Sequence, residues 1–224
     1  MGSAVFPTLK GLSWGFTLSE NFDTLKYPAA APGYETRISK GPDPTFLIKL
    51  QYEFLRNKVG TDELATLRAF FRARQGDYDS FLLDLSSLTK NTTDATIAGQ
   101  ALTVDGNNFA PLVRSVAGTP ETIYAVNAIT NVYGNGSPIT SSGHNVTPAS
   151  GHWSYWDASP SRTYGGTSYP GVVIAFGSTP ATPVTIDFSW YYRVRFEKGA
   201  ADFDAFMYQL YELQEIDLVT CRDL

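Results

Sequence analysis

Alternation of apolar and polar positions dominates this chain. Over residues 45–56, Phe46, Ile48, Leu50, Tyr52 and Phe54 occupy every second position, a pattern that predicts a half-buried strand. Residues 185–196 repeat it with Ile186, Phe188, Trp190, Tyr192, Val194 and Phe196, the longest alternation present. The opposite face of that run carries Asp187, Ser189, Tyr191, Arg193 and Arg195. Shorter strands are predicted at 81–83, 121–129, 171–176 and 215–221, and Asp105-Gly106 between 101–104 and 109–116 reads as a hairpin. One segment changes period. Over 61–75, Leu64, Leu67, Phe70 and Phe71 recur at spacings of three and four and form the core face of a helix. Thr61 is its expected cap, Asp62 and Glu63 suit the positive end of the helix dipole, and Gly76 is placed to end it in the left-handed conformation. Residues 202–213 fit both periods: Phe203, Phe206, Met207 and Leu210 match a helix, whereas Phe206, Tyr208 and Leu210 match a strand.

The fold class expected is therefore mainly β with one α-helix. Charge divides it further. Residues 85–186 hold seven charged side chains in 102 positions, against 32 in the other 122. The charge-poor run is rich in Gly, Ser, Thr, Asn and Pro, and reads as short strands and turns. It is expected to be an inserted β-rich domain, 85–186, while 1–84 and 187–224 fold together. A single large β-sandwich with long loops fits the same pattern. The net charge of −5 is also localised: residues 197–224 hold seven acids against Lys198 and Arg222, and the remainder balances at 15 acids and 15 bases. Apolar residues interleave with those acids, so the segment is expected to pack and to present an acidic face.

Composition excludes several function classes. The 224 residues are 43% hydrophobic and 17% charged, enough to bury a core, and the acidic balance disfavours a basic nucleic-acid clamp. No apolar run approaches the roughly 18 residues of a membrane helix and no secretory leader is visible, so a soluble, intracellularly made protein with no membrane partner is expected. Cys221 is the lone cysteine, which leaves no internal disulfide and no thiolate metal cluster. His144 and His152 have no zinc spacing; packed or exposed imidazoles explain them better than a metal or a general base. Ser154, His152 and Asp157 are close in sequence but lack a nucleophile-elbow motif, and neither a phosphate loop nor a dinucleotide fingerprint is present. Paired acids such as Asp77/Asp79 and Asp202/Asp204 are better explained by turns and solvation. No catalytic residue, metal or cofactor is expected.

One local cluster suggests binding. Trp153, Tyr155 and Trp156, followed by Tyr164 and Tyr169, sit among small polar residues, as in many surfaces that hold sugar rings or protein partners. The plainer reading is that these rings fill the core of a small β domain poor in Leu and Ile.

Four stretches then carry a resemblance. They are Phe6-Pro7-Thr8-Leu9-Lys10-Gly11-Leu12-Ser13-Trp14 with Phe22-Asp23-Thr24; Gly33-Tyr34-Glu35-Thr36-Arg37; Glu63-Leu64-Ala65-Thr66-Leu67 through Phe70-Phe71-Arg72-Ala73-Arg74-Gln75-Gly76, then Phe81; and Tyr191-Tyr192-Arg193-Val194-Arg195-Phe196 before an acidic stretch. In order and spacing they resemble the distal tail proteins of long-tailed bacteriophages and gene transfer agents. The resemblance covers roughly 1–84 and 187–224. It is loose around Asp105-Gly106-Asn107 and Glu121-Thr122-Ile123, and lapses over 133–170. It implies a β-sandwich or split-barrel belt domain with a helix and an inserted peripheral domain. Six copies would form a ring at the virion tail tip, between the tail tube protein above and the hub or baseplate protein below, after synthesis in the host bacterial cytoplasm.

For such a ring, the strands 45–56 and 185–196 are expected in or beside inter-subunit sheets. Glu197, Asp202, Asp204, Glu212, Glu215 and Asp217 are candidate lumenal acids, past which DNA slides without specific binding; an acidic outer rim fits equally. The alternative function is a carbohydrate-binding or adhesin module using the aromatic-rich insert, and the insert of a tail protein could likewise hold a tail fibre or a host glycan.

Overall fold

The protein is mainly β, with strands over 57% of the chain and one helix longer than two turns. Its structure, a computed structural model, describes residues 4–28, 34–41, 43–58, 60–89, 96–157, 162–164, 167–169, 171–201, 204–207 and 210–221. The first half runs β1 (Leu12–Asn21), β2 (Thr24–Pro28), β3 (Glu35–Ser39), β4 (Thr45–Lys58), β5 (Thr61–Asp62), α1 (Glu63–Ala73), β6 (Phe81–Leu83) and a short α2 (Leu85–Thr89). Next come β7 (Thr96–Leu102), β8 (Phe109–Pro111), β9 (Val113–Val116), β10 (Thr119–Thr122), β11 (Val126–Gly134), β12 (Ser137–Pro138) and β13 (Thr140–His144). The remainder is β14 (His152–Trp156), β15 (Arg162–Tyr164), β16 (Thr167–Tyr169), β17 (Val173–Phe176), β18 (Val184–Trp190), β19 (Tyr192–Phe196), β20 (Asp204–Met207) and β21 (Leu210–Thr220).

Packing divides the chain into two compact units. One combines Pro7–Phe81 with Val194–Cys221; the other centres on Leu82–Arg193 and includes the N-terminal residues through Phe6. Phe6 joins this second unit because its amide donates to the Leu82 carbonyl at 2.8 Å, while the Leu82 amide donates to Ala4. The C-terminal division falls between 193 and 194, inside the long alternating run and seven residues beyond the charge break. Two strands share that run. The amide of Tyr191 donates to Ala125 at 2.9 Å, which ends β18 and lets β19 begin.

The first unit is built on a sheet ordered β1-β4-β21-β19-β6, with β20 paired to β21 and β5 to β4. β4 is its spine, and Phe46, Ile48, Leu50 and Tyr52 are buried in strict alternation. The phase then slips: Leu55 is buried whereas Phe54 is only half-buried, so the last ring of the expected alternation leaves the buried face. β1 flanks β4 on one side, with Leu18 opposite Ile48, and β21 flanks it on the other, with Leu218 opposite Ile48. β4 is therefore an interior strand and offers no free edge, which belongs at that side to β1. Residues 204–207 and 210–220 are strands and not helix, because β21 completes its ladder on β4 and β20 folds back on β21.

Helix α1 is shorter than the periodicity suggested. Thr61 pairs with Lys58 in the β4–β5 ladder, so the cap is Asp62, whose Oδ1 accepts from the Ala65 amide at 2.9 Å. At the other end Gln75 and Gly76 both take positive φ, 54° and 66°. Leu64 and Leu67 are buried. Phe70 meets Phe81 edge-on with ring centres 5.0 Å apart, and Phe71 meets Phe196 at 4.9 Å. This apolar stripe holds the helix to its unit.

The second unit contains two four-stranded sheets, β12-β11-β18-β7 and β13-β14-β17-β8, with β9–β10 as a separate ribbon. Asp105-Gly106 does not make the expected hairpin: β7 pairs with β18 and β8 with β17, so the turn passes the chain from one sheet to the other. Likewise the expected strand 121–129 is divided between β10 and β11.

Candidate functional site

Three groupings bear on function. The first is charged and lies at the end of β21. Asp217 is buried, yet its Oδ2 accepts from Lys198 Nζ at 2.7 Å and its Oδ1 lies 3.5 Å from Lys49 Nζ. Lys49 also binds Glu215, two residues away on the same face of β21. Burial pushes the Asp217 carboxyl up, but hydrogen bonds with Glu215 and Lys198 and the nearby lysine charges hold it below the usual carboxylate range. Lys49 is raised, first by its hydrogen bond to Glu215, and Lys198 by its bond to Asp217. Two acids thus face two lysines. Of the candidate lumenal acids, Glu215 and Asp217 are neutralised in place and Glu197 is exposed. Asp204 stands opposite Glu212 in the β20–β21 register, and Asp202 lies outside the described residues.

A second ion pair was not singled out from sequence. Arg56, near the end of β4, grips Glu63 at the start of α1, with Nε 2.9 Å from Oε2. The Glu63 carboxylate also accepts from the Arg56 amide at 3.2 Å. The Arg56 hydrogen bond lowers the Glu63 carboxyl against the opposing effect of burial. Its signal was present as an acid in the first turn of a helix seven residues after an arginine. The strand–turn–helix geometry that joins them was not readable.

The aromatic cluster of the second unit is largely interior. Trp153, Trp156 and Tyr169 are 5%, 8% and 5% exposed, while Tyr155 is half-buried and Tyr164 lies on β15 opposite Thr167. Phe109 links Trp156 and Tyr169, with ring centres 5.7 Å from each. The Tyr169 hydroxyl donates to Asp105, whose other oxygen accepts from the amides of Asn107 and Phe109 at 2.9 and 2.8 Å. These rings therefore pin the turn between the two sheets. Trp153 Nε1 donates to the Ile139 carbonyl at 2.9 Å, fixing the segment between β12 and β13.

His144 stacks on Tyr155 at 4.5 Å, and its Nε2 lies 2.8 Å from Asp157. Burial, with the Asp157 charge, pushes the Tyr155 phenol up. Asp157 thus engages His144, not His152, and the Ser154 hydroxyl is buried without a hydrogen-bond partner among the described residues. Ser154, His152 and Asp157 do not form a relay. No group of three or more His, Cys, Asp or Glu residues suited to a metal occurs among the described residues.

The third grouping is an arm. Among the described residues β2 and β3 pair only with each other, and the ribbon places Leu25 opposite Ile38 and Tyr27 opposite Thr36 on one face. Lys26 opposite Arg37 occupies the other face. Leu25, Tyr27 and Ile38 are 39%, 53% and 50% exposed. Phe22 and Tyr34, flanking the ribbon, are more exposed still. Against known proteins, no family model matches the chain and no curated protein is similar enough to it to count as a relative.

Proposed function

We propose that the protein is a structural virion component, a distal tail protein of which six copies close into a ring joining the tail tube to the tail-tip hub. The observation that carries this reading is the β2–β3 arm. A lone two-stranded ribbon is at best marginally stable in water, and this one exposes an apolar face of Leu25, Tyr27 and Ile38. Such an arm is completed by a surface on another molecule. Closed rings are built from head-to-tail contacts, in which each copy presents two different surfaces. The arm supplies one, and the outer edge of β1 supplies backbone groups for the other. The four stretches that resemble distal tail proteins include the arm's residues Glu35–Arg37 and parts of both chain segments of the first unit. The reading of a stand-alone adhesin through the cluster of Trp153, Tyr155, Trp156, Tyr164 and Tyr169 is weaker, because Trp153, Trp156 and Tyr169 are buried.

DNA passage asks only that the ring's inner wall not bind phosphate. The local pairing of Glu215 and Asp217 with lysines means that these two acids contribute little net field. Native mass spectrometry of the full chain over a concentration series tests the ring. A six-copy species is expected, and Leu25→Asp combined with Ile38→Asp should leave a folded monomer. A wild-type protein that stays monomeric throughout, and is also single-copy in the assembled particle, would overturn the reading.

A further inference from the structure

The loop between β11 and β12 holds the only Asn-Gly step in the sequence, Asn135-Gly136; each of the other eight asparagines precedes a residue with a side chain. Gly134 stands opposite Ser137 in the strand register, so the loop is just two residues long. Asn135 has φ of 48° and Gly136 φ of 77°, the left-handed conformations that such a loop demands and that these two residues tolerate. Both are exposed. The Asn135 amide donates to the Pro183 carbonyl at 2.8 Å. Among the described residues, no hydrogen bond holds the Asn135 side chain or the Gly136 amide. A Cβ placed at Gly136 would meet nothing within 4 Å, so the space around this step is open.

That combination sets up an intramolecular reaction. Rotation about the Asn135 Cα–C bond brings the Gly136 nitrogen to the Asn135 Cγ. The nitrogen attacks, an N–Cγ bond forms and the Cγ–Nδ2 bond breaks. Ammonia leaves with the proton that the Gly136 nitrogen gives up, and a cyclic imide remains. Water then opens the imide. Addition at Cγ gives aspartate, whereas addition at the Asn135 main-chain carbonyl gives isoaspartate, in which the chain continues through Cβ. One water is consumed and one ammonia released, with no oxidant or reductant. A side chain on the following residue would crowd the attacking nitrogen, and glycine has none. Asp105-Gly106 offers the same cyclisation with loss of water, but its carboxylate is held. Asp105 Oδ1 accepts from the Asn107 and Phe109 amides at 2.9 and 2.8 Å, and Oδ2 accepts from the Tyr169 hydroxyl. The fold thus separates two steps that look alike in sequence.

We propose that Asn135 deamidates spontaneously in the folded protein, a self-modification site that adds a negative charge to the charge-poor unit. The aspartate product keeps the hairpin, since Asp-Gly suits the same loop. The isoaspartate product adds a backbone carbon to a two-residue loop, so the pairs Gly134–Ser137 and Tyr133–Pro138 lose their register and β12 comes away from β11. The site is independent of the ring assembly, and its failure would leave the tail reading untouched. The test incubates the full-length protein in mildly alkaline buffer made with heavy-oxygen water, beside a free peptide of residues 131–140. Peptide mapping by fragmentation mass spectrometry follows both. Asn135 should become a mixture of aspartate and isoaspartate carrying heavy oxygen. Its rate should be no more than about tenfold below that of the peptide, the upper worth of the one hydrogen bond to Pro183. Asp105 and the other asparagines should stay unchanged over the same period. Asn135→Gly, which keeps an allowed loop, should abolish the conversion. Hydrogen exchange should show the Ile139 amide, bonded to Val132, losing protection in the isoaspartate form alone; unchanged protection would overturn the consequence drawn for β12. Asn135 intact while the peptide converts, another asparagine converting first, or Asp105 isomerising equally fast would overturn the proposal.

Discussion

Asp217 shows how single residues set this protein's response to acid. It is buried between Lys198 and Lys49, and its folded-state acidity is strengthened. Glu63, held by Arg56, is strengthened likewise from an ordinary value of 4.5. Both groups are lowered on folding, so the stability they contribute is complete above their unfolded values and is lost as pH falls through the folded ones. Denaturant titrations of the full chain should therefore show the first unit weakening below about pH 4.5, the unfolded value of Glu63. Glu63→Gln should cost about 2 kcal/mol at neutral pH and flatten that acid dependence; an unchanged acid slope would contradict the role given to the pair. Tyr52 provides the opposite case. Its hydroxyl is buried without a partner among the described residues, and burial pushes the phenol up. Tyr52→Phe removes an unsatisfied group and keeps the ring, so thermal denaturation should show stability equal to the parent or up to about 1 kcal/mol higher.

At the scale of elements, the residues announced the secondary-structure class and concealed the connections. Alternation at Phe46, Ile48, Leu50 and Tyr52 reads directly as a strand because β4 buries one face along that stretch. The run 185–196 keeps its parity across Tyr191, so no change of phase marks where β18 stops and β19 begins. Asp105-Gly106 has hairpin chemistry, but local turn propensity does not choose which strands pair across a sheet. Residues 202–213 carried both periods; of them 204–207 and 210–213 are strand, through the ladders of β20 on β21 and of β21 on β4. The aromatic cluster was legible as a cluster, and its plainer reading as core filling agrees with the burial of Trp153, Trp156 and Tyr169, although rings that stiffen a core and rings that bind sugar share one composition. The cleft framed by 134–140, 151–152 and 176–181 had no sequence signal, because its walls are largely ordinary Ser, Thr, Pro and Gly from three separated segments. A glycine tests the β1–β4 junction. Gly11 has φ of +94°, and a Cβ there would lie 2.1 Å from the Phe54 carbonyl oxygen. Gly11→Ala should destabilise the first unit by more than about 2 kcal/mol in denaturant melts, and a neutral effect would show that this bend is not fixed.

For the whole molecule, the two-unit division gives physical content to the uneven charge. The charge-poor run 85–186 lies inside the unit of Leu82–Arg193, whereas the paired charges Arg56–Glu63, Lys49–Glu215 and Lys198–Asp217 belong to the other. One unit presents an exposed apolar arm and a sheet edge. The structural divisions differ from the compositional ones: one falls three residues before the break at 84, and the other seven residues past the break at 186, where Phe188 and Trp190 are buried with the second unit.

Electron cryo-microscopy of assembled particles that contain this chain tests the ring most directly. The expected map has six copies closed around the axis at the lower end of the tail tube, with the Leu25–Ile38 face of each arm covered by its neighbour. Copies placed off that axis, or a six-fold ring whose arms remain bare to solvent, would contradict the account.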